Sequence, residues 1–265
     1  MTQTHLLFCS VFFMILSCNS PKTANNERVQ EDAPQWVRLF NGKDLDGWTM
    51  KIVGHELAEN YGNTFRVEDS ILSIRYDQYG SFDGQFGGLY YTKKFSNYRL
   101  KVEYRFVGET APGAPEWGYR DSGIQYHCQF PGSMAINQSF PVCLEYNLHG
   151  GNGTDERPIG EICANGTFVE MNGEPQESFC TPATIKRTFH DDQWVMLEID
   201  VQGDTIRHFA NGEEILVFTN PKYRPDHELG KEFIVGDDDK VKEGYISLQS
   251  NSHPIDFRKI EIMEY

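Results

Sequence analysis

The sequence predicts an all-β sandwich or jelly roll of antiparallel strands. Three observations carry this reading. Apolar residues recur with period two from Trp36 onward, turn signals separate the runs, and no window of twelve or more residues has a clear helical period.

In chain order, Phe65 to Val67 and Ile71 to Ile74 form a hairpin across Glu68-Asp69-Ser70. Tyr98 to Phe106 alternates, with Leu100, Val102, Tyr104 and Phe106 on one face and Arg99, Lys101, Glu103 and Arg105 on the other. Arg120 to His127 reads as a strand that puts Asp121, Gly123, Gln125 and His127 on one face. A strand over Val142 to Asn147 places Glu145, Asn147 and His149 together if it stays extended. Gly150 to Pro182 is rich in Gly, Asn and Pro and reads as loops with short strands over one sheet.

Further on, Trp194 to Val201 aligns Val195, Leu197, Ile199 and Val201. The turn Gln202-Gly203-Asp204 leads into Asp204 to Ala210, and Asn211-Gly212 is a two-residue hairpin signal before Glu214 to Phe218. Gly244 to Gln249 and Asp256 to Ile262 close the pattern. No composition shift divides Trp36 to Tyr265, so residues 35–265 are read as one domain.

The first residues read as an address. Met1 to Ser17 has no Asp, Glu, Lys or Arg and carries an apolar core ending at Leu16-Ser17-Cys18. This looks like a bacterial lipoprotein signal over residues 1–17, with Cys18 as the lipidated residue. Residues 18–34 are polar and read as a flexible tether. The expected location is the periplasmic face of a membrane, reached only through that lipid.

With 24 basic and 39 acidic side chains, the formal charge of the 265-residue chain is −15. No Lys/Arg cluster is present, which argues against nucleic acid, because phosphate neutralisation needs a basic face. At 39% hydrophobic residues a packed core is expected. Cys128, Cys143, Cys163 and Cys180 permit two disulfides in three connectivities, and Cys163 with Cys180 would staple the Gly/Asn-rich stretch between them.

There is no HExxH, no GxSxG and no Gly-rich phosphate loop. Glu198-Ile199-Asp200 begins like the ExDxxE strand of sandwich-fold glucanases, but Gly203 stands where the third acid would be. Paired-carboxylate glycoside hydrolysis therefore lacks its full acid set, and Glu198 and Asp200 read as polar residues of an open face.

Leu39-Phe40-Asn41-Gly42-Lys43-Asp44-Leu45-Asp46-Gly47-Trp48 resembles the opening signature of the bacterial 3-keto-disaccharide hydrolases. Asp121-Ser122-Gly123-Ile124, Val142 to Asn147, Gly244 to Gln249 and Pro254 to Arg258 are similar to later stretches of that family, in order. The resemblance implies a concanavalin-A-like jelly-roll sandwich of two antiparallel sheets, with the sugar site on the concave sheet. It also implies cleavage of a glycoside or disaccharide already oxidised at carbon 3, and hence an upstream sugar-oxidising enzyme. A C3 ketone acidifies the hydrogen on C2, so one general base can start a β-elimination that expels the C1 oxygen. Water addition then makes the sum a hydrolysis.

The candidate catalytic residues are Glu145 or His127 as the C2 base, with Asp121 positioning the base or holding a sugar hydroxyl. Asp121 and Glu145 are carried by the resemblance, and His127 by strand geometry alone. Glu103, Arg105, Arg120, Gln125 and Gln249 are candidate polar contacts to substrate, and Trp117 and Tyr126 candidate stacking surfaces. No cofactor is required. His127, Glu145 and His149 are ligand types without a metal-spacing motif, and Asp237-Asp238-Asp239 reads as a solvated turn, so a divalent metal is not assigned. A non-catalytic carbohydrate-binding module and a hydratase or lyase of the unsaturated sugar are the competing functions.

Overall fold

The computed structural model describes residues 1–2 and 34–265, so Cys18 and all but the ends of the proposed signal and tether lie outside the described residues. Among the described residues, seventeen strands, numbered in chain order, pair antiparallel into two sheets. The first sheet has seven strands in the spatial order β12 (Cys180–Thr181), β9 (Ile162–Asn165), β8 (Cys143–His149), β7 (Asp121–Cys128), β16 (Tyr245–Ser250), β5 (Gly87–Tyr91) and β2 (Trp48–Ile52). The second sheet opens with β11 (Glu174–Pro175), β10 (Thr167–Met171), β15 (Glu213–Tyr223), β14 (Thr205–Ala210) and β13 (Val195–Gln202). It continues through β6 (Tyr98–Phe106), β17 (Ile255–Glu264), β4 (Ile71–Ile74) and β3 (Phe65–Glu68), with β1 (Val37–Arg38) beside β17.

Period-two alternation becomes burial wherever a strand has one dry face. β6 alternates buried and half-buried along its whole length, and Leu100, Val102, Tyr104 and Phe106 enter the core. They meet Ile124, Tyr126, Leu144, Tyr146 and Leu248 from the first sheet. Full burial of one such side chain stabilises by roughly 1.5–3 kcal/mol, so this apolar layer is the main source of stability. The hairpin signal Asn211-Gly212 does join β14 to β15, with Asn211 at φ 47° and Gly212 at 84°.

Two features were not legible in advance. The Gly/Asn/Pro-rich stretch does not lie over one sheet: β9 and β12 edge the first sheet while β10 and β11 belong to the second. Glu198 and Asp200 do not stand on an open face either. They are 7% and 5% exposed, Glu198 held by Arg99 at 2.8 Å and Asp200 by the Tyr265 hydroxyl at 2.8 Å.

The Leu39–Trp48 segment is a tight architectural loop. The Asn41 side chain accepts hydrogen bonds from the amides of Lys43 (2.7 Å) and Asp44 (3.1 Å), and the Trp48 indole donates to the Leu39 carbonyl (2.9 Å).

Candidate active site

β7 is unusual in that all eight of its residues are buried although half are polar. One face is explained by the core. The other belongs to a cleft of about 310 Å³ lined by Trp117, Asp121, Phe140, Glu145, Asn147, Cys163, Asn165, Phe179, Cys180, Gln249 and Asn251. Strand register builds its floor: Asp121 pairs with His149, Gly123 with Asn147, and Gln125 with Glu145. β16 supplies Gln249 and is followed by Asn251.

Glu145 sits at the centre. A Cβ on Gly123 would lie 2.5 Å from the Glu145 carboxyl carbon, so the missing side chain is the space the carboxyl occupies. Gln125 and Gln249 donate to Glu145 Oε2 at 3.0 and 3.2 Å. Burial pushes the Glu145 carboxyl up to about 8, opposed by the Gln125 hydrogen bond and reinforced by the negative charges of Asp121 and Glu161.

Asp121 accepts from the Asn251 amide on one oxygen and faces His149 Nε2 at 2.9 Å on the other. The opposite nitrogen of His149, Nδ1, faces the Pro158 carbonyl at 3.1 Å. Both ring nitrogens therefore address acceptors, which favours the imidazolium. Burial lowers the His149 pKa, but the hydrogen bond and charge of Asp121, with Glu161 and the Pro158 carbonyl, outweigh it and raise the pKa. Asn147 donates to Glu161 at 2.8 Å. The amides of the floor thus spend an N–H on a carboxylate, while the carbonyl oxygens of Asn147, Gln249 and Asn251 are buried without partners.

Of the sequence candidates, Asp121, Glu145, Gln249 and Trp117 line the cleft, and Gln125 touches it through Glu145. The others do not. The pairing of β7 with β16 shifts register at Tyr245/Ser247, opposite Tyr126 and His127, and His127 takes φ 49°. That irregularity turns the imidazole off the Gln125 face, leaving it edge-on to Tyr98 and Tyr126 at 5.8 and 5.9 Å. Burial there lowers its pKa to about 4. Tyr126 is also a core residue, its hydroxyl 2.8 Å from His208 Nε2.

Glu103 and Arg105 lie on the outer face of the second sheet, paired with Arg258 (2.6 Å) and Asp256 (3.0 Å). Arg120, at φ 44°, reaches away to the Asp191 carbonyl (2.7 Å) and Asp192 (2.6 Å). A larger hollow of about 530 Å³ on the second sheet involves Arg38, Lys43, Glu103 and Arg258, but its acids Glu103 and Glu261 are held in ion pairs.

Sequence reasoning left His149 and Asn147 without an assigned role although both share the Glu145 face, and Asn251 follows Gln249 by two. Phe140 and Phe179 sit outside any periodic run and carried no signal. The Cys163–Cys180 disulfide forms, while Cys128 and Cys143 are buried free thiols, so one bridge exists among the described residues. Glu161, Cys163 and Cys180 lie within metal-ligand reach of one another, but the two sulfurs are bonded to each other and offer no thiolate.

A two-sheet sandwich with an acid-bearing cleft on one sheet places the chain in the concanavalin- and galectin-like class. Residues 35–263 match the model of the 3-keto-alpha-glucoside-1,2-lyase-like domain, and the chain belongs to that family. A crystal structure from Parabacteroides distasonis ATCC 8503, provisionally described as a glycosyl hydrolase, is 18% identical. The match covers 87% of this chain and 94% of that one, with a TM-score of 0.51. A Bacillus subtilis protein of unknown function with a galectin-like fold is 10% identical over 88% of this chain and 96% of its own, with a TM-score of 0.53. At these identities the likeness is one of fold. Among curated proteins, no match is found.

Proposed function

We propose that this chain is a carbohydrate-active enzyme that cleaves 3-keto-glycosides by C2 proton abstraction and β-elimination at C1. The observation that carries the reading is Glu145: one carboxyl, centred in the cleft of a member of this family, held by two neutral amides and raised to about 8. A base of that pKa is well matched to a carbon acid activated by an adjacent ketone.

The ionised Glu145 removes the C2 proton, and the C–H electron pair becomes the enolate of the C3 ketone. Re-forming the C3 carbonyl drives those electrons into a C1–C2 double bond as the C1–O bond breaks. The departing oxygen takes up one proton, which Glu145 now carries. Gln249 and Asn251 each keep a second amide N–H for the enolate oxygen. Their free carbonyl oxygens, with Asn147, accept from sugar hydroxyls. Water addition across the double bond would complete a net hydrolysis. The chain is read as an exported lipoprotein held through Cys18, and a sugar-oxidising enzyme must supply the ketone.

The test is release of aglycone from a 3-keto-glucoside and from its parent glucoside, with C2 deuterium exchange followed by mass spectrometry. Release from the keto sugar alone, with exchange, is the expected result. Equal release from both rejects the keto-dependent route, and release from neither leaves a binding module. Ionised Glu145 is the active form, so turnover should rise with pH to a plateau above about 8.

A further inference from the structure

The floor of the cleft is polar, but its rim is aromatic. Trp117, in the 3-10 turn Glu116–Gly118, is 52% exposed and stacks one face on Phe86 with ring centres 5.6 Å apart. Phe86 also backs Phe140, at 5.2 Å. Phe179 is 59% exposed and belongs to the opposite flank of the sheet. There its carbonyl accepts from the Ala164 amide at 2.8 Å, and the next residue is tied to β9 by the Cys163–Cys180 disulfide.

Three large apolar rings around one cleft need an explanation, because exposed aromatics that line a hollow mark a contact surface. The sugar ring alone does not supply it, since its hydroxyls match the polar floor. The group beyond C1 does. Among the lining residues the rim offers one polar side chain, Asn165, and its amide nitrogen is spent on the carbonyls of Phe140 and Pro141. A second sugar could stack a C–H face on the rings, but among these side chains its hydroxyls would find only the Asn165 carbonyl oxygen as a partner. A flat apolar group would stack on Trp117 and Phe179 and lose no hydrogen bond.

We propose that Trp117, Phe140 and Phe179 form a subsite for an aromatic leaving group, so that the preferred substrates are glycosides of phenols. The inference rests on the reading of the chain as a 3-keto-glycoside-cleaving enzyme, but its test requires no turnover. Titration calorimetry on the full chain with unoxidised phenyl and methyl glucosides, in both anomers, reads the subsite directly. Phenyl glucoside should bind about tenfold tighter than methyl glucoside. Phe179→Ala and Trp117→Ala should each collapse that ratio toward one, while Phe179→Tyr should keep it.

Both rings are exposed, so the variants should fold, and an unchanged thermal midpoint checks this. Equal affinity for the two glucosides overturns the proposal, as does a ratio that survives both alanine variants. A phenyl preference that persists in a chain inert toward 3-keto-glucosides supports the subsite and sinks the enzymatic reading alone.

Discussion

Glu145 and Asp256 are both shielded carboxyls on strands, and the difference between them separates chemistry from scaffolding. Asp256, on β17, is 2% exposed and is clasped by Arg75 (2.5 Å), Arg105 (3.0 Å) and the Ser73 hydroxyl (3.1 Å). Its carboxylate faces two guanidiniums, which tie β17 to β4 and β6. Glu145 has only two amides and a glycine-shaped space. Neutral donors do not repay the cost of burying a charge, and a proton can therefore come and go near physiological pH. Burial alone does not mark an active carboxyl; the charge of its neighbours does.

The comparison can be broken most sharply at the carboxyls themselves. Glu145→Gln should lower turnover of a 3-keto-glucoside by about 10²–10⁴-fold with the fold intact by circular dichroism. Loss within a factor of a few would remove Glu145 from the chemistry. Gly123→Ala should come next, at roughly 10²-fold, because the new methyl must displace the carboxyl. An active Gly123→Ala enzyme would show that the position of that carboxyl is not critical.

Asp256→Asn should do the reverse, costing roughly 1–3 kcal/mol in urea denaturation while turnover stays near wild type. The smallest expected effect concerns pH and stability. Glu145 has a raised pKa in the folded state, so the stability its proton contributes is fully present below the ordinary carboxyl value and is lost as pH rises through about 8. Glu145→Gln should therefore melt higher than wild type at pH 9, by at least roughly 2–4 °C, and the gap should shrink toward pH 5. A gap independent of pH would contradict the burial argument.

Much of this was legible in the residues, and the part that was not has physical causes. Period two correctly grouped Leu100 with Phe106 and Asp121 with Gln125, because a pleated strand admits no other arrangement. It says which residues share a face, not which sheet the strand joins or whether that face is hollow. Glu103 and Arg105 share a face as the period requires, but that face belongs to the second sheet, which is why they fail as substrate contacts. His127 failed differently: a register irregularity depends on the partner strand, and nothing in Arg120 to His127 announces it. Phe179 was invisible because loop residues have no period, and it reaches the cleft through distant partners, the Ala164 amide and the β9–β12 pairing with its disulfide.

The position of β17 has a kinetic corollary. It inserts between β6 and β4, so the last described strand in chain order is the one that joins two fragments of a ladder. Until it arrives, the flanks of β6 and β4 stand as bare templates for foreign strands. Folding should be slow, because this ladder closes only through contacts far apart in sequence, and a holdase would find its natural client in the form awaiting that one segment.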